Sequence, residues 1–382
     1  MWLVALLSLS ERPTLGVGAS PHIDRNRPMF NPYLLAAGLL APLSDRLLRG
    51  SASIFMMHRF ADRERGSAGH DPDVLRSDLA YLRRERYDLV PLRELFLRLR
   101  NRDRRLGKTV AFTVDDGYAD FATVGARVFS EYDCPVTVFI VTGVVDTGSW
   151  YWWDRLYEAI AHADQRTFEV ELANDRFTAA AGTEALAKKA ARDLVNRVRR
   201  VPDAERRRVL ADVEKVLEVE LPERATEQFA PMTWDQIRSC ASLGVKFGPH
   251  TVNHPIMSQL DDDAAKWEIK SSWERLTEQT SAAVPVFCYP NGGIADISRR
   301  EVVNLRTLGL ESAVTAAPGY ASVSHWHASA DAPYLLPRFG YNGNASLFRQ
   351  VVTGVIRVRM AIHDAFSRTH YKPAITTQSP GM

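Results

Sequence analysis

Seven short apolar runs rich in β-branched residues punctuate this chain, and helix-like stretches separate them. The runs are "SIFMMHRF" (53–60), "TVAFTVDDG" (109–117), "PVTVFIVTG" (135–143), "GVKFGPHT" (244–251), "PVFCYPNGG" (285–293), "ESAVTAAPG" (311–319) and "YLLPRFGYN" (334–342). Between them lie amphipathic patterns such as "PDVLRSDLAYLRRERY" and "ISRREVVNLRTLG". Strands that alternate with helices form βαβ units, and such units build a parallel sheet. About seven of them in roughly 300 residues predict an α/β fold, an irregular closed or nearly closed (β/α) barrel, with an open doubly wound sheet as second choice. One stretch breaks the rhythm. Residues 155–230, with "EALAKKAARDLVNRVRRVPDAERRRVLADVEKVLEV" at their centre, read as a helical insertion without strand signal. The expected organisation is therefore an N-terminal extension over 1–50, a main domain over 51–350 carrying the insertion, and a C-terminal helix with a flexible tail over 351–382.

Composition narrows the class. With 46% hydrophobic and 25% charged residues among 382, this is an ordinary globular chain able to bury a sizeable core. A net charge of +2, from 48 basic and 46 acidic side chains, gives no global field for a nucleic-acid partner, and none is expected. The local basic clusters "NRDRRLGK" (101–108) and "NRVRRVPDAERRRVL" (196–210) interleave acids at helical spacing and read as solvated faces, with contact to phosphates or anionic lipid as the alternative. Cys134, Cys240 and Cys288 are odd in number and widely spaced in apolar surroundings, which predicts buried thiols rather than disulfides. The opening "MWLVALLSLSERPTLGVGAS" lacks the basic segment of a signal peptide. From Met29, "MFNPYLLAAGLLAPLSDRLLRG" is too short and broken to span a bilayer and reads as a helix lying on a membrane or on the main domain. These features tilt the expected location toward the cytoplasm or the cytoplasmic membrane face, over the cell envelope or secretion.

In a parallel barrel the groups that do chemistry sit at the C-terminal ends of the strands, where the loops share one mouth. Asp115 and Asp116 end the second run, His250 and His254 follow the fourth, "YPNGG" ends the fifth and His58 closes the first. Adjacent acids repel, so a fold keeps them near a buried strand only where something offsets the charge or where they lie in water. His250 and His254 are four apart, so two imidazoles reach one ion if the segment turns once. Ten histidines in 382 residues give such a pair by chance in roughly a quarter of sequences, so its place after a strand matters more than its spacing. Two histidines and a carboxylate are the minimal tripod for a catalytic divalent metal with an open position for water. One aspartate on that metal and the other free beside its water answers the charge problem and suits amide or ester hydrolysis. No nucleophile elbow or phosphate-binding glycine loop occurs.

These residues resemble the polysaccharide deacetylase (NodB-homology) family, carbohydrate esterase family four. "TVDDG" is similar to its first motif, "HTVNH" to its second, "CYPNGG" to its third and "MMHRF" to its first-strand motif, over roughly residues 51–345. The resemblance implies a NodB-like barrel, with Asp115 as catalytic base and Asp116, His250 and His254 as ligands of a divalent metal, Zn²⁺ first and Co²⁺, Ni²⁺ or Fe²⁺ as alternatives. It places Pro290 and Gly292 in a turn whose backbone N–H near Asn291 faces the developing oxyanion. Two departures stand out. Cys288 occupies the place of an arginine that orients the base, and Arg338 in "LPRFG" is the candidate to supply that guanidinium. The late motif has no histidine to act as general acid, which leaves His58, His325 and His327 as candidates, or Asp115 itself once protonated.

The resulting expectation is a metal-dependent de-N-acetylase that releases acetate from an N-acetylated sugar in a glycan, glycolipid or polysaccharide. The alternatives are a metal-dependent hydrolase of another amide or ester, and an inactive glycan-binding protein on the same scaffold; a membrane-associated scaffold using residues 196–210 is a third. "GSWYWWDRL" (148–156) is expected either to stack on sugar rings or to pack at the root of the insertion, and Trp234 and Trp267 are expected in the core.

Overall fold

A computed structural model describes residues 44–163, 167–172 and 175–358. The expected surface-lying helix of the N-terminal extension, up to residue 43, and the expected tail from 359 lie outside the described residues. All seven apolar runs contain strands: β1 (Ser51–Met57), β2 (Thr109–Val114), β3 (Val136–Ile140), β4 (Lys246–Pro249), β5 (Val286–Cys288), β6 (Ser312–Val314) and β7 (Phe339–Gly340). β1 through β4 are parallel neighbours in that order, with Phe55 opposite Phe112 and Val138 opposite Phe247. β7 lies parallel on the other side of β1, and β5 pairs with β6. Isolated β-bridges, Phe247 with Ala283 and Val314 with Leu336, complete the ring. Val284 N–H donates to Phe247 O at 2.8 Å ahead of β5, and Thr315 N–H donates to Leu336 O at 2.9 Å ahead of β7. The architecture is thus an irregular (β/α) barrel. Every residue of β1, β2 and β3 is buried, so these strands are covered on both faces. That burial is why they read as continuous apolar runs instead of alternating ones.

The helices are built from local signals as well. In α1 (Pro72–Arg84) the Asp71 carboxylate caps the first turn by accepting from Asp73 N–H at 2.8 Å, and Pro72 opens the helix where its missing N–H is harmless. Leu75, Leu79 and Leu82 then line one face and are buried against the barrel, each stabilising the fold by about 1.5–3 kcal/mol.

Between β3 and β4 the insertion forms a structure of its own. It contains α2 (Trp152–Ala161), a hairpin of Thr167–Leu172 with Asp175–Ala180, α3 (Glu184–Val198) and α4 (Asp203–Leu217). Its apolar residues, Leu156, Phe168, Val170, Leu194, Val209 and Val213 among them, pack into a cluster separate from the barrel core. The hairpin corrects the expectation of helix throughout. "TFEVEL" alternates exposed and buried residues with a period of two, a strand pattern overshadowed by the long helical run that follows. Trp267 is a second correction: on α5 (Asp262–Gln279) it faces outward and is 52% exposed. Trp234 is only partly buried, and its indole N–H donates to Asp146 Oδ1 at 2.8 Å. All three cysteines are free and buried. Among the described residues no helix is long and apolar enough to cross a membrane.

Candidate active site

The loops that leave β2, β4 and β5 meet at the C-terminal mouth of the barrel. All three carry backbone strain. Of the eight non-glycine residues with positive φ among the described residues, four lie in these loops: Asp116 (71°), Thr251 (67°), His254 (54°) and Asn291 (58°). The other four, Arg86, Arg102, Asp133 and Glu218, follow helix ends, where a left-handed residue is ordinary. Left-handed conformations cost a non-glycine residue of order 1–3 kcal/mol, and they persist only where the surroundings over-determine them.

The turn after β2 separates the two acids. Asp115 N–H still donates to Met57 O at 2.9 Å, continuing the strand ladder, before the chain reverses at Asp116 and Gly117. The Asp115 carboxylate meets Arg338, which stands just before β7. Nη1 donates to Oδ1 at 2.7 Å and Nη2 to Oδ2 at 2.8 Å. Arg338 also donates through Nε to Thr315 O at 2.9 Å, through Nη1 to Thr113 Oγ1 at 2.9 Å and through Nη2 to the Cys288 sulfur at 3.2 Å. Its five N–H groups therefore face five acceptors, in a setting where Arg338 is 1% exposed. Burial would raise the Asp115 pKa, but the Arg338 charge and hydrogen bonds override it and hold the carboxylate well below its ordinary range. Cys288 lies at this junction as a small neutral group, because burial pushes its thiol up. The sequence departure at this position is thus met by a guanidinium arriving from a different strand.

Asp116 turns the other way, toward the histidines. Its Oδ1 stands 3.5 Å from His250 Nε2 and 3.5 Å from His254 Nε2, with all three residues buried. His250 Nδ1 lies 2.7 Å from Cys288 O, a backbone carbonyl that accepts a hydrogen bond from it and so turns Nε2 toward Asp116. The strained histidine loop is held by Glu268 of α5. That carboxylate accepts from Val252 N–H at 2.7 Å, Asn253 N–H at 3.0 Å and the Asn253 side chain at 2.8 Å. Burial first, and the charge of His250 second, push His254 down to about 3, so it stays neutral and able to act as a ligand.

The donor set fits a divalent metal. Bonds of about 2.0–2.1 Å in a tetrahedral site put ligand atoms roughly 3.3 Å apart, close to the two 3.5 Å separations here. One ligand atom from each of Asp116, His250 and His254 lies within 4.8 Å of the other two. Asp115, His250 and Cys288 meet the same distance test, but Arg338 already occupies both Asp115 oxygens.

The remaining candidates fall into two groups. His58 follows β1, within electrostatic reach of both Asp115 and Asp116. Asn291 and Gly292 form a left-handed turn after β5 in which a Cβ on Gly292 would fall 2.6 Å from Ala316 N, so only glycine fits. His325 and His327 lie elsewhere. They belong to the segment after Ala321–Ser322, which pairs with the start of β1, and His327 Nε2 is 3.2 Å from Leu99 O at the opposite end of the barrel. This placement removes them from the candidates for general acid.

The aromatic run packs at the root of the insertion, the second of its two expected roles, and braces the loops that carry Asp116 and His254. Tyr151 donates its hydroxyl to Asp116 O, and the Trp153 ring packs edge-on against His254 at 4.7 Å. Trp153 N–H donates to the Tyr118 hydroxyl at 3.0 Å, which donates to Asp154 Oδ2 at 2.5 Å. Arg59 stacks over Tyr118 at 4.0 Å and pairs with Asp120 at 2.5 Å. The signal was the clustering of Trp and Tyr with one buried acid, Asp154, whose position behind the ligands no local pattern reveals.

No curated protein matches this sequence. Among solved structures, the chain is similar to the Streptococcus pyogenes deacetylase PplD in complex with acetate, with 20% identity, 80% of this chain and 98% of that one covered, and a TM-score of 0.52, a likeness of fold. IcaB from Ammonifex degensii (17% identity, 80% and 97% covered, TM-score 0.49) and the Bacillus cereus polysaccharide deacetylase BC0361 (12%, 80% and 69%, 0.49) are also similar. The polysaccharide deacetylase family model matches residues 102–180 and 221–310, a span that includes β2 through β5 and passes over α3 and α4 of the insertion. With the paired aspartates and the two histidines in place at the mouth of the barrel, the matched part of the chain carries the signature of the polysaccharide deacetylase family, whose chemistry is hydrolytic deacetylation of carbohydrates.

Proposed function

We propose that this protein removes the N-acetyl group from an N-acetylated sugar in a glycan, glycolipid or polysaccharide, by metal-dependent hydrolysis. The observation that carries the reading is the cluster of Asp116, His250 and His254 beside a separately held Asp115. A divalent ion in that cluster, Zn²⁺ or a similar metal, supplies a Lewis acid for the acetamide carbonyl and lowers the pKa of water. Asp115 takes the proton from the attacking water, and Arg338 fixes the direction of its carboxylate. The backbone N–H near Asn291 faces the oxygen on which negative charge develops. The C–N bond breaks, acetate leaves, and the sugar nitrogen receives a proton from Asp115 or from His58 on the same rim. An inactive glycan-binding scaffold would not need a carboxylate held ionised beside the ligand cluster.

The test measures bound metal and acetate release from N-acetylglucosamine oligomers and glycolipids, with Asp115→Asn and His250→Ala in parallel. Stoichiometric metal that is lost in His250→Ala, with acetate release lost in both variants, supports the reading. Acetate release that survives Asp115→Asn overturns it.

A further inference from the structure

A cleft of about 300 Å³ opens beside His254, between the barrel mouth and the insertion. That size lies at the lower end of ligand-binding clefts, about 300–1,000 Å³. Trp150, Tyr151 and Trp152 form one wall and Arg206 and Arg207 of α4 another, while His254 connects the cleft to the ligand cluster. Its chemistry is one-sided. The lining contains two arginines and no carboxylate. Arg206 is 5% exposed, with its guanidinium 5.1 Å from the Trp152 ring, and its charge reaches His254. Arg206 and Arg207 also interact with other residues of the protein. Trp152 Nε1 and His254 Nδ1, on two further lining residues, are buried with no hydrogen-bond partner among the described residues.

Aromatic faces suit a sugar ring, while guanidinium groups suit carboxylate or phosphate oxygens, which they bind in pairs. We propose that this cleft is a subsite for an anionic sugar unit, one bearing a carboxylate or phosphate, next to the N-acetylated sugar that is hydrolysed. The proposal rests on the deacetylase reading above and adds its substrate class. It also gives the insertion a role, since α4 supplies the cationic wall.

Calorimetry with Asp115→Asn protein, which leaves the ligand unconsumed, tests it with three probes. These are a neutral N-acetylglucosamine tetramer, a tetrasaccharide alternating glucuronate with N-acetylglucosamine, and an N-acetylglucosamine oligomer carrying a terminal phosphate. At least one anionic probe should bind roughly tenfold or more tightly than the neutral one, as a charge-assisted hydrogen bond allows, and the preference should shrink with added salt. The stronger of the two identifies the anion. Arg206→Gln with Arg207→Gln should bring the ratio of anionic to neutral affinity toward one. Arg207 is exposed, so Arg207→Gln alone tests the same ratio in a folded protein should the double variant not fold, and it should lower it by roughly threefold. Equal binding of all three probes, or a preference untouched by Arg207→Gln, overturns the subsite. Failure of the metal-loaded wild-type protein to release acetate from any probe overturns the deacetylase reading instead, and calorimetry reports on the cleft separately.

Discussion

The two halves of the barrel mouth solve opposite electrostatic problems a few ångströms apart. In one half, Asp115 faces Arg338, and every donor of that guanidinium has an acceptor. That half is complete within the protein. In the other, the Asp116 carboxylate and two imidazole nitrogens turn toward one another at distances too long for good hydrogen bonds. Groups of that kind, buried together, call for a cation that the protein itself does not provide. The contrast teaches why two adjacent aspartates coexist: the turn at Asp116 sends one to the Arg338 guanidinium and the other to the imidazoles of His250 and His254.

The largest effect is expected from emptying the open half. His250→Ala should abolish stoichiometric metal binding and lower acetate release by at least about 10³-fold, measured by metal analysis and an acetate assay. Metal retained at full occupancy would break the comparison, because the cluster would then not be the ligand set. Asp115→Asn should lower acetate release by roughly 10²–10⁴-fold while the metal stays bound, since it removes a proton acceptor and no ligand. If metal were lost as well, the two halves would not be separate.

Arg338→Met tests the closed half through stability. Removing one partner of a buried ion pair leaves the other charge uncompensated, at a cost of about 3–5 kcal/mol in denaturant unfolding. A loss under about 1 kcal/mol would show that Asp115 has another partner. The last effect, which vanishes at low pH, concerns the buttress behind the open half. Burial raises Asp154 from 3.8 to about 7, against the Tyr118 hydrogen bond and the Arg59 charge that lower it. Below pH 4 both folded and unfolded chains hold this proton. As pH rises to about 7 the unfolded chain releases it while the folded one keeps it, so the contribution of Asp154 to stability falls across that window. Asp154→Asn should therefore gain stability relative to wild type from pH 4 to pH 8, by up to roughly 4 kcal/mol. A pH-independent difference would mean that Asp154 is ionised in the folded protein.

Much of this was legible in the residues. The seven strands announced themselves because buried parallel strands are continuous apolar runs, and "TVDDG" and "HTVNH" declared acids and imidazoles at strand ends. The hairpin at 167–180 was missed because its alternation is short and sits beside a strong helical pattern. Trp267 was misplaced because a tryptophan among apolar neighbours looks the same from either face of a helix. The dismissal of His325 and His327 needed the pairing of Ala321 with Ala52, which puts them at the wrong end of the barrel.

What the sequence determined by itself is local: which segments become strands, and which loops carry the acids and imidazoles. The tertiary structure decided what those groups meet. Arg338 reaches Asp115 across 223 positions, α5 braces the histidine loop through Glu268, and the insertion walls the cleft beside His254. Local pattern is written in nearest-neighbour sterics and hydrophobic period, whereas the partner of a buried charge depends on which strands close the barrel.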